Sequence, residues 1–574
     1  MRRRTSLTAA VALGAAWALS ACGIPTNKAP EVIGDAPTDF DASSGAAPET
    51  FEPTLVAEET VENFLKAVSG DPDSRDDRLN RFTVSGEEQF SEPSEGIRLV
   101  ADLDIAVHDA NDLDSATVTV TGSVVGTYLE DGSVRMNAAP ADYDETFTLQ
   151  REGIQDVWKM NTLPKQVALD YAYFSTAYVQ APMYFQAGQA RLLVPDLRWI
   201  YDELDAETRQ RLLFEWLFLR PSEFAMQSAR NAIPTGTTGR HTTEDGTFKV
   251  DLSLGEAIDD ETAEAIAAQI VWSLGIDGDF VLTTDGETRA DGEAADWRDW
   301  NAIPNDLPET AYFIAENTVW EYTSDQRVTT TSAEHSWVGF TVAGLQQVAV
   351  GPGDQIAAVV TGSGGDIMQT GANASTMRAV TGLGGNLTDP QWLDDDTVLV
   401  IDDGVPTLVI PFTGATQTLA LGDQVTAMAL AADGRRLAYV EDGVAWVVPL
   451  GLDADGNITA GDPRWIGQDI VSVTDVAWSS ENYLWVAGER EDDKLFRVAI
   501  DNSHIEPQAG TGTFPHITQI AANPADPEES SPGRGEPVII VANETLYRVH
   551  TTGPDEVRNG EHAVAGTAPF TVLQ

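Results

Sequence analysis

Hydrophobic positions change their spacing several times along the 574 residues, and each spacing predicts a different kind of structure. Thr8 to Leu19 is a continuous apolar run, shorter than the roughly 20 residues a membrane-spanning helix needs. Between residues 23 and 52 large apolar side chains are few, and Ala, Pro, Asp, Thr and Ser follow one another without a period, as in a disordered tether. A helical period then begins. Val61, Phe64, Leu65 and Val68 fall at i, i+3, i+4 and i+7, with Gly70 placed as a C-terminal cap. Strand alternation replaces it from Ser115 to Leu129, around Val118, Val120 and Val124. Asp131-Gly132 reads as the turn, and Glu145 to Gln150 and Val157 to Thr162 as further strands, so residues 53–175 are expected to form an α+β domain.

A second α+β pattern covers residues 176–305. Val179 to Phe185 reads as a strand with Ala190 to Pro195 as its hairpin partner, and two helices follow. The stronger, Asp259 to Leu274, sets Ala263, Ile266, Ala267, Ile270, Val271 and Leu274 on one face, with acidic residues in the first turn and Gly275 just past the end. Between the helices lie Ile233-Pro234-Thr235-Gly236-Thr237 and Phe248-Lys249-Val250-Asp251-Leu252-Ser253, and after them Phe280 to Gly286. Pro, Gly, Asp and Ser at these places are ordinary turn and cap residues.

From residue 306 onward the chain repeats itself in short strands. Gln347-Val348-Ala349-Val350, Asp389-Pro390-Gln391-Trp392, Ala427-Met428-Ala429-Leu430, Asp475-Val476-Ala477-Trp478 and Gln519-Ile520-Ala521-Ala522 align with steps of 42, 38, 48 and 44 residues. Each unit continues with an apolar strand, an acidic or Asn turn and another strand, as in Leu437 to Trp446. A period near 40 with four short strands predicts a β-propeller, because one blade cannot bury both faces and must stack on its neighbours. Ala311 to Trp320 repeats the later half of a blade, giving six blades over 306–574. Its missing first strand comes either from the segment after His562 or from residues before 311.

Charge and cysteine change the picture next. The chain carries 91 acidic against 34 basic residues, a surface that repels nucleic acid and anionic headgroups. Its one cysteine, Cys22, ends Leu19-Ser20-Ala21-Cys22 behind the basic Arg2, Arg3 and Arg4 and the apolar run, so no intramolecular disulfide can form. Those four residues resemble the lipobox of bacterial lipoproteins. The resemblance implies a signal peptide over 1–21, cleavage between Ala21 and Cys22, and an N-palmitoyl, S-diacylglycerol Cys22 that anchors the tether of residues 22–52 at the outer side of the cell membrane. Two or more acyl chains are what a stable anchor requires.

Motifs for catalysis are missing. There is no His-Glu-x-x-His, Cys-x-x-Cys, Gly-x-Ser-x-Gly or Gly-x-x-x-x-Gly-Lys-Ser/Thr, and seven histidines are scattered without ligand spacing. The chain is therefore expected to be no enzyme and to need no cofactor or metal. Asp453-Ala454-Asp455-Gly456-Asn457 offers calcium-like oxygens but lacks the distal glutamate, and a plain hairpin turn is expected. Trp392, Trp446, Trp465, Trp478 and Trp485 are expected to fill the blades. The blade-start strands show Val, Ala, Ile and Met, which argues against a polar ring at the propeller axis.

Family resemblance completes the reading. The first domain resembles the α+β cone of NTF2-like domains. The second resembles the GerMN domain, whose Pro-Ser step, Ile-Pro-x-Gly-Thr turn and Val-Asp-Leu-Ser strand fit Pro221, Ser222, Pro234, Gly236, Asp251 and Ser253, although Arg220 stands where that family often has Gly. Lipobox, tether, two α+β domains and a propeller in this order resemble the LpqB family of envelope lipoproteins. That resemblance implies a partner, the extracytoplasmic part of the sensor histidine kinase MtrB, and a role in tuning MtrA phosphorylation, cell-wall homeostasis and division. The alternatives are a module that binds a cell-wall glycan or peptide and, behind it, an envelope hydrolase.

Overall fold

A computed structural model describes residues 51–84, 96–108, 114–161, 163–164, 166–255, 257–305, 307–528 and 533–573. Ala21 and Cys22, with the leader and nearly all of the expected tether, lie outside the described residues. Phe51 already meets Tyr173 edge to face at 5.4 Å, and Glu52 pairs with Arg81 at 2.7 Å.

The helical period yields α1 (Ala57–Ala67), which buries Val61, Phe64 and Leu65, and a short α2 (Arg75–Asn80) follows. Val68 is the C-cap in right-handed geometry, while Gly70, at φ 111°, takes the chain away from the helix. A five-stranded sheet lies against α1, in the order Lys159–Met160, Val134–Gln150, Ser115–Tyr128, Ile97–His108, Ala168–Asp170. Ile97–His108 escaped the sequence pattern because its pairing slips at Leu99/Val100 and again at Ala101/Asp104, and bulges destroy a period of two. The strand expected over Val157 to Thr162 is reduced to Lys159–Met160. Trp158 instead donates from its backbone to the Thr54 carbonyl and from its indole to the Leu55 carbonyl.

In the second domain the predicted strand Val179 to Phe185 is divided. Tyr178–Gln180 pairs with Trp199–Tyr201, and Met183–Gln186 pairs with Leu193–Asp196. Pro182 stands at the break, where its missing N–H cannot extend a ladder. After α3 (Tyr171–Ala177) and α4 (Ala206–Trp216), the long helix α5 runs Asp260–Leu274. Asp259 is its N-cap, accepting from the Thr262 N–H at 2.9 Å, and Gly275 is its left-handed C-cap. The face read from sequence lies buried against a four-stranded sheet ordered Thr238–Glu244, Thr247–Ser253, Asp279–Thr284, Glu287–Glu293.

Six blades form the C-terminal ring, five of four strands and the fourth of five, where Arg464–Ile466 also pairs with Val444–Leu452. Their innermost strands are Thr567–Phe570, Leu345–Gly351, Leu387–Trp392, Val425–Leu430, Val471–Ser480 and Gln519–Ala522, and each packs against the next until the circle closes. The C-terminal segment supplies the strand missing from blade 1, Tyr312 pairing with Phe570, which decides between the two closures the sequence left open. Trp478 and Trp485 are buried as expected. Trp446 and Trp465 form a partly exposed cross-strand pair, and Trp392 lies beside the axis. Asp453 closes a hairpin turn by accepting from the Asp455 and Asn457 N–H groups, both at 2.9 Å.

Candidate functional site

Because each strand of a blade reverses the one before, the first and third turns of every blade emerge at the same end of the ring. In blade 5 these turns are Ser480–Tyr483 and Ile500–His504, and both are driven into the other domains. Glu481 accepts from the Tyr184 hydroxyl at 2.7 Å and from the Asn301 amide at 2.6 Å. Arg436, paired with Asp433 at 2.7 Å, donates to the Glu481 carbonyl. Burial pushes the Glu481 carboxyl above its usual range, and the hydrogen bonds from Tyr184 and Asn301 and the charge of Arg436 hold it back. Twenty residues on, Asp501 accepts from the Trp199 indole at 2.8 Å, and the His504 ring stacks on that indole at 4.4 Å while donating to the Ser175 carbonyl at 3.0 Å. Tyr171 donates to the Ser503 carbonyl at 2.8 Å.

Arg198 extends this hub to the N-terminal domain. Its buried guanidinium bonds the Asp196 carboxylate at 3.1 Å and the carbonyls of Asp131 and Arg220, while Ser222 donates to Asp196 from backbone and hydroxyl. Ser222 of the Pro-Ser step thus fixes an inter-strand carboxylate, and Arg220 contributes a carbonyl, for which a side chain is no obstacle. Asp251 accepts from Thr283 at 2.8 Å and from Arg240 at 2.9 Å, and Gly236 turns the chain at φ 84°. Gly236 thus serves a turn, whereas Asp251 ties its strand to both neighbours.

The axis of the ring holds a channel of about 430 Å³ that opens toward the end where domain 2 sits, with Ala302 of the connecting segment in its wall. Here the expectation of an apolar axis is corrected. Gln347, Asp389, Gln391, Asp475 and Gln519 line the channel, and among the described residues no Lys or Arg does. The first position of these strands is polar in four of the five aligned repeats, at Gln347, Asp389, Asp475 and Gln519, and all four line the channel.

These side chains clip blade to blade. Asp389 accepts from the Gln347 amide at 2.9 Å and from the Met428 N–H at 3.1 Å, so one carboxylate joins blades 2, 3 and 4. Asp475 accepts from the Ile520 N–H at 2.7 Å, and Gln519 from the Ala568 N–H at 2.8 Å. Burial pushes Asp389 up to about 6 against its two hydrogen bonds. Asp475 is pushed well above the carboxylate range by burial and then by the negative charge of Asp389. A channel of this size, lined by carboxyl and amide groups, can accept a small hydrogen-bonding ligand. Among the described residues no three His, Cys, Asp or Glu side chains gather as a metal site.

Comparison with known proteins agrees with this architecture. Residues 52–175 match the family described as "Lipoprotein LpqB, N-terminal domain", residues 182–289 the family "Sporulation and spore germination", and residues 324–527 the "Lipoprotein LpqB beta-propeller domain". The last match starts after the first strands of blade 1 and stops within blade 6, while the ring itself runs from Ala311 to Phe570. Lipoprotein LpqB of Rhodococcus opacus is 26% identical over 88% of this chain and 88% of its own length. That of Corynebacterium jeikeium is 24% identical over 78% and 79%, and that of Mycobacterium tuberculosis 25% identical over 92% and 93%. By its domains, their order and its relatives, the chain belongs to the LpqB family of lipoproteins.

Proposed function

We propose that the protein is held at the outer side of the cell membrane by acylated Cys22 and docks on the extracytoplasmic part of the histidine kinase MtrB, tuning MtrA phosphorylation and thereby wall homeostasis and division. The lipobox and the name lipoprotein on every relative cited support the anchor. Among the described residues no helix is long and apolar enough to cross a membrane. The observation that carries the reading is the hub. Blade 5 sends both of its turns into the other domains, and blades 4 and 6 add contacts to domain 2 through Asp462 to Gln227 and Asp526 to Arg298, so the three domains are joined while the turns of blades 2 and 3 stay available to a partner. Phe412, on the outer turn of blade 3, is 95% exposed. A tethered body meets a partner in the same membrane at high effective concentration, so a weak surface is enough. Modulation further requires unequal affinity for two kinase states.

Autophosphorylation of MtrB in vesicles tests this with lipidated protein, with a Cys22→Ala form added in solution at equal concentration, and with none. A rate change that depends on Cys22 supports tethered modulation; an unchanged rate together with no binding to the sensor domain refutes it. The carboxyl- and amide-lined axial channel favours a second reading, in which a hydroxyl- or amine-bearing fragment of the wall binds there. Isolated wall that sediments the wild-type protein but not an Asp389→Asn, Asp475→Asn variant of unchanged fold would support it.

A further inference from the structure

Exposed apolar side chains concentrate where the described chain begins. Leu55 is 54% exposed and Ile154 60%, and Val56 and Val157 are also large and exposed. The two segments lie side by side, because Trp158 donates to the carbonyls of both Thr54 and Leu55, at 2.8 and 3.1 Å. Beneath them Trp158 is buried and is stacked under Arg151, whose guanidinium lies 4.4 Å from the ring centre. The backbone of this ledge is therefore fixed from below while its side chains point outward. Glu58, Glu59, Glu152 and Asp156 stand around it, all exposed.

We infer that this ledge rests on the lipid bilayer. Location names the occupant: residues 23–50 separate Cys22 from the described chain that carries the ledge, a stretch that reaches about 100 Å at most. The inference rests on the proposed anchoring of Cys22. Once that end is held at a bilayer, the ledge lies within the tether's reach of it, and its effective concentration there is of the order of millimolar. A contact too weak to bind from solution is then occupied. Its character is apolar with an acidic rim, the reverse of a polybasic membrane contact, so salt that screens the rim should strengthen it on anionic vesicles. Seating the N-terminal domain in this way fixes, through the hub, the height and tilt at which the propeller is presented.

Cys22 is the only cysteine, so the purified mature protein can be coupled through it to maleimide-bearing lipid in phosphatidylcholine vesicles, whether or not cells acylate that residue. The readout is amide hydrogen exchange of peptides spanning residues 51–58 and 151–158, against the same protein coupled to a soluble maleimide. The ledge predicts exchange slowed several-fold in both peptides on vesicles and unchanged elsewhere in the N-terminal domain. A Leu55→Asp, Ile154→Asp variant, altered only at exposed positions, should lose the protection. On vesicles with added phosphatidylglycerol, protection should rise with salt. Equal exchange on vesicles and in solution, protection that survives the double substitution, or protection that falls as salt rises would overturn the inference. Failure of cellular acylation at Cys22, read by mass spectrometry, would remove the anchor reading and leave the coupled-vesicle result to stand or fall alone.

Discussion

Blades 3 and 5 are built on one plan and differ in what their turns carry. Each has four antiparallel strands, an innermost strand with an aspartate facing the axis, and a packed middle. Blade 5 buries Ser479, Glu481, Asn482, Asp501, Asn502 and Ser503 in and beside its turns, whereas blade 3 ends in the exposed Asp394, Asp395 and Asp396 and the bare ring of Phe412. A buried polar group is tolerable only when it is hydrogen-bonded. Glu481, Asp501 and the Ser503 carbonyl meet that condition with partners from outside the ring, Tyr184, Asn301, Trp199 and Tyr171, while Ser479 and Asn502 bond within it, to the Arg534 and Trp465 carbonyls. The difference teaches that a repeat's departure from its siblings marks where it is joined to something else, while its shared positions mark what holds the ring together.

The largest effect should come from breaking the blade 5 hub. Trp199→Ala removes a buried indole together with the stack on His504 and the bond to Asp501, and should cost about 3–5 kcal/mol in denaturant unfolding. Because the lost contacts lie between domains, the single transition should also split into two. Loss of stability without that split would place the indole's contribution inside domain 2 alone.

Next comes the aspartate that both blades share. Asp389 has a pKa of about 6 in the folded ring against roughly 4 in an unfolded chain, so the folded state binds the proton more tightly. Its contribution is fully favourable below pH 4 and is lost as pH rises through 6, a fall of up to roughly 3 kcal/mol. Asp475 acts in the same direction. Unfolding followed between pH 4 and 7 should show this slope, and Asp389→Asn should flatten much of it. A slope of opposite sign would mean that the carboxylates are stabilised as anions, by water or a bound cation.

Glu481→Ala leaves the Tyr184 hydroxyl and the Asn301 amide buried without acceptors, at about 1–3 kcal/mol, while Glu481→Gln keeps an acceptor and should lose less. Equal losses would show that the carboxylate's charge, beside Arg436, is what matters. The smallest effect belongs to blade 3: Phe412→Ser should change stability by no more than about 0.5 kcal/mol. A larger loss would mean that the ring is covered in solution and that blade 3 is not free.

Much of the fold could be read from spacing. The face of α5, its Asp259 and Gly275 caps, the six-blade repeat and the order of the domains all follow local rules of period and capping. What escaped was non-local. The bulges of Ile97–His108 hide its alternation, and the closing strand Thr567–Phe570 is defined by a partner more than 250 residues away. The hub residues carry no motif, since Glu481, Asp501 and His504 look like turn residues until Tyr184, Asn301 and Trp199 arrive opposite them. The polar first position of the blade-start strands was visible in the aligned repeats. It needed only the geometric rule that this position of an innermost strand faces the axis.

Rigid joining of the three domains through blade 5 is the claim on which both the kinase-docking and the membrane-ledge readings depend. It is tested most directly by electron–electron resonance distances in a Cys22→Ala background, with spin labels at Asp245→Cys on the exposed hairpin of domain 2 and at Phe412→Cys on blade 3. One body predicts a single narrow distance distribution that broadens on Trp199→Ala; a distribution already broad or multiple in the parent protein would contradict it.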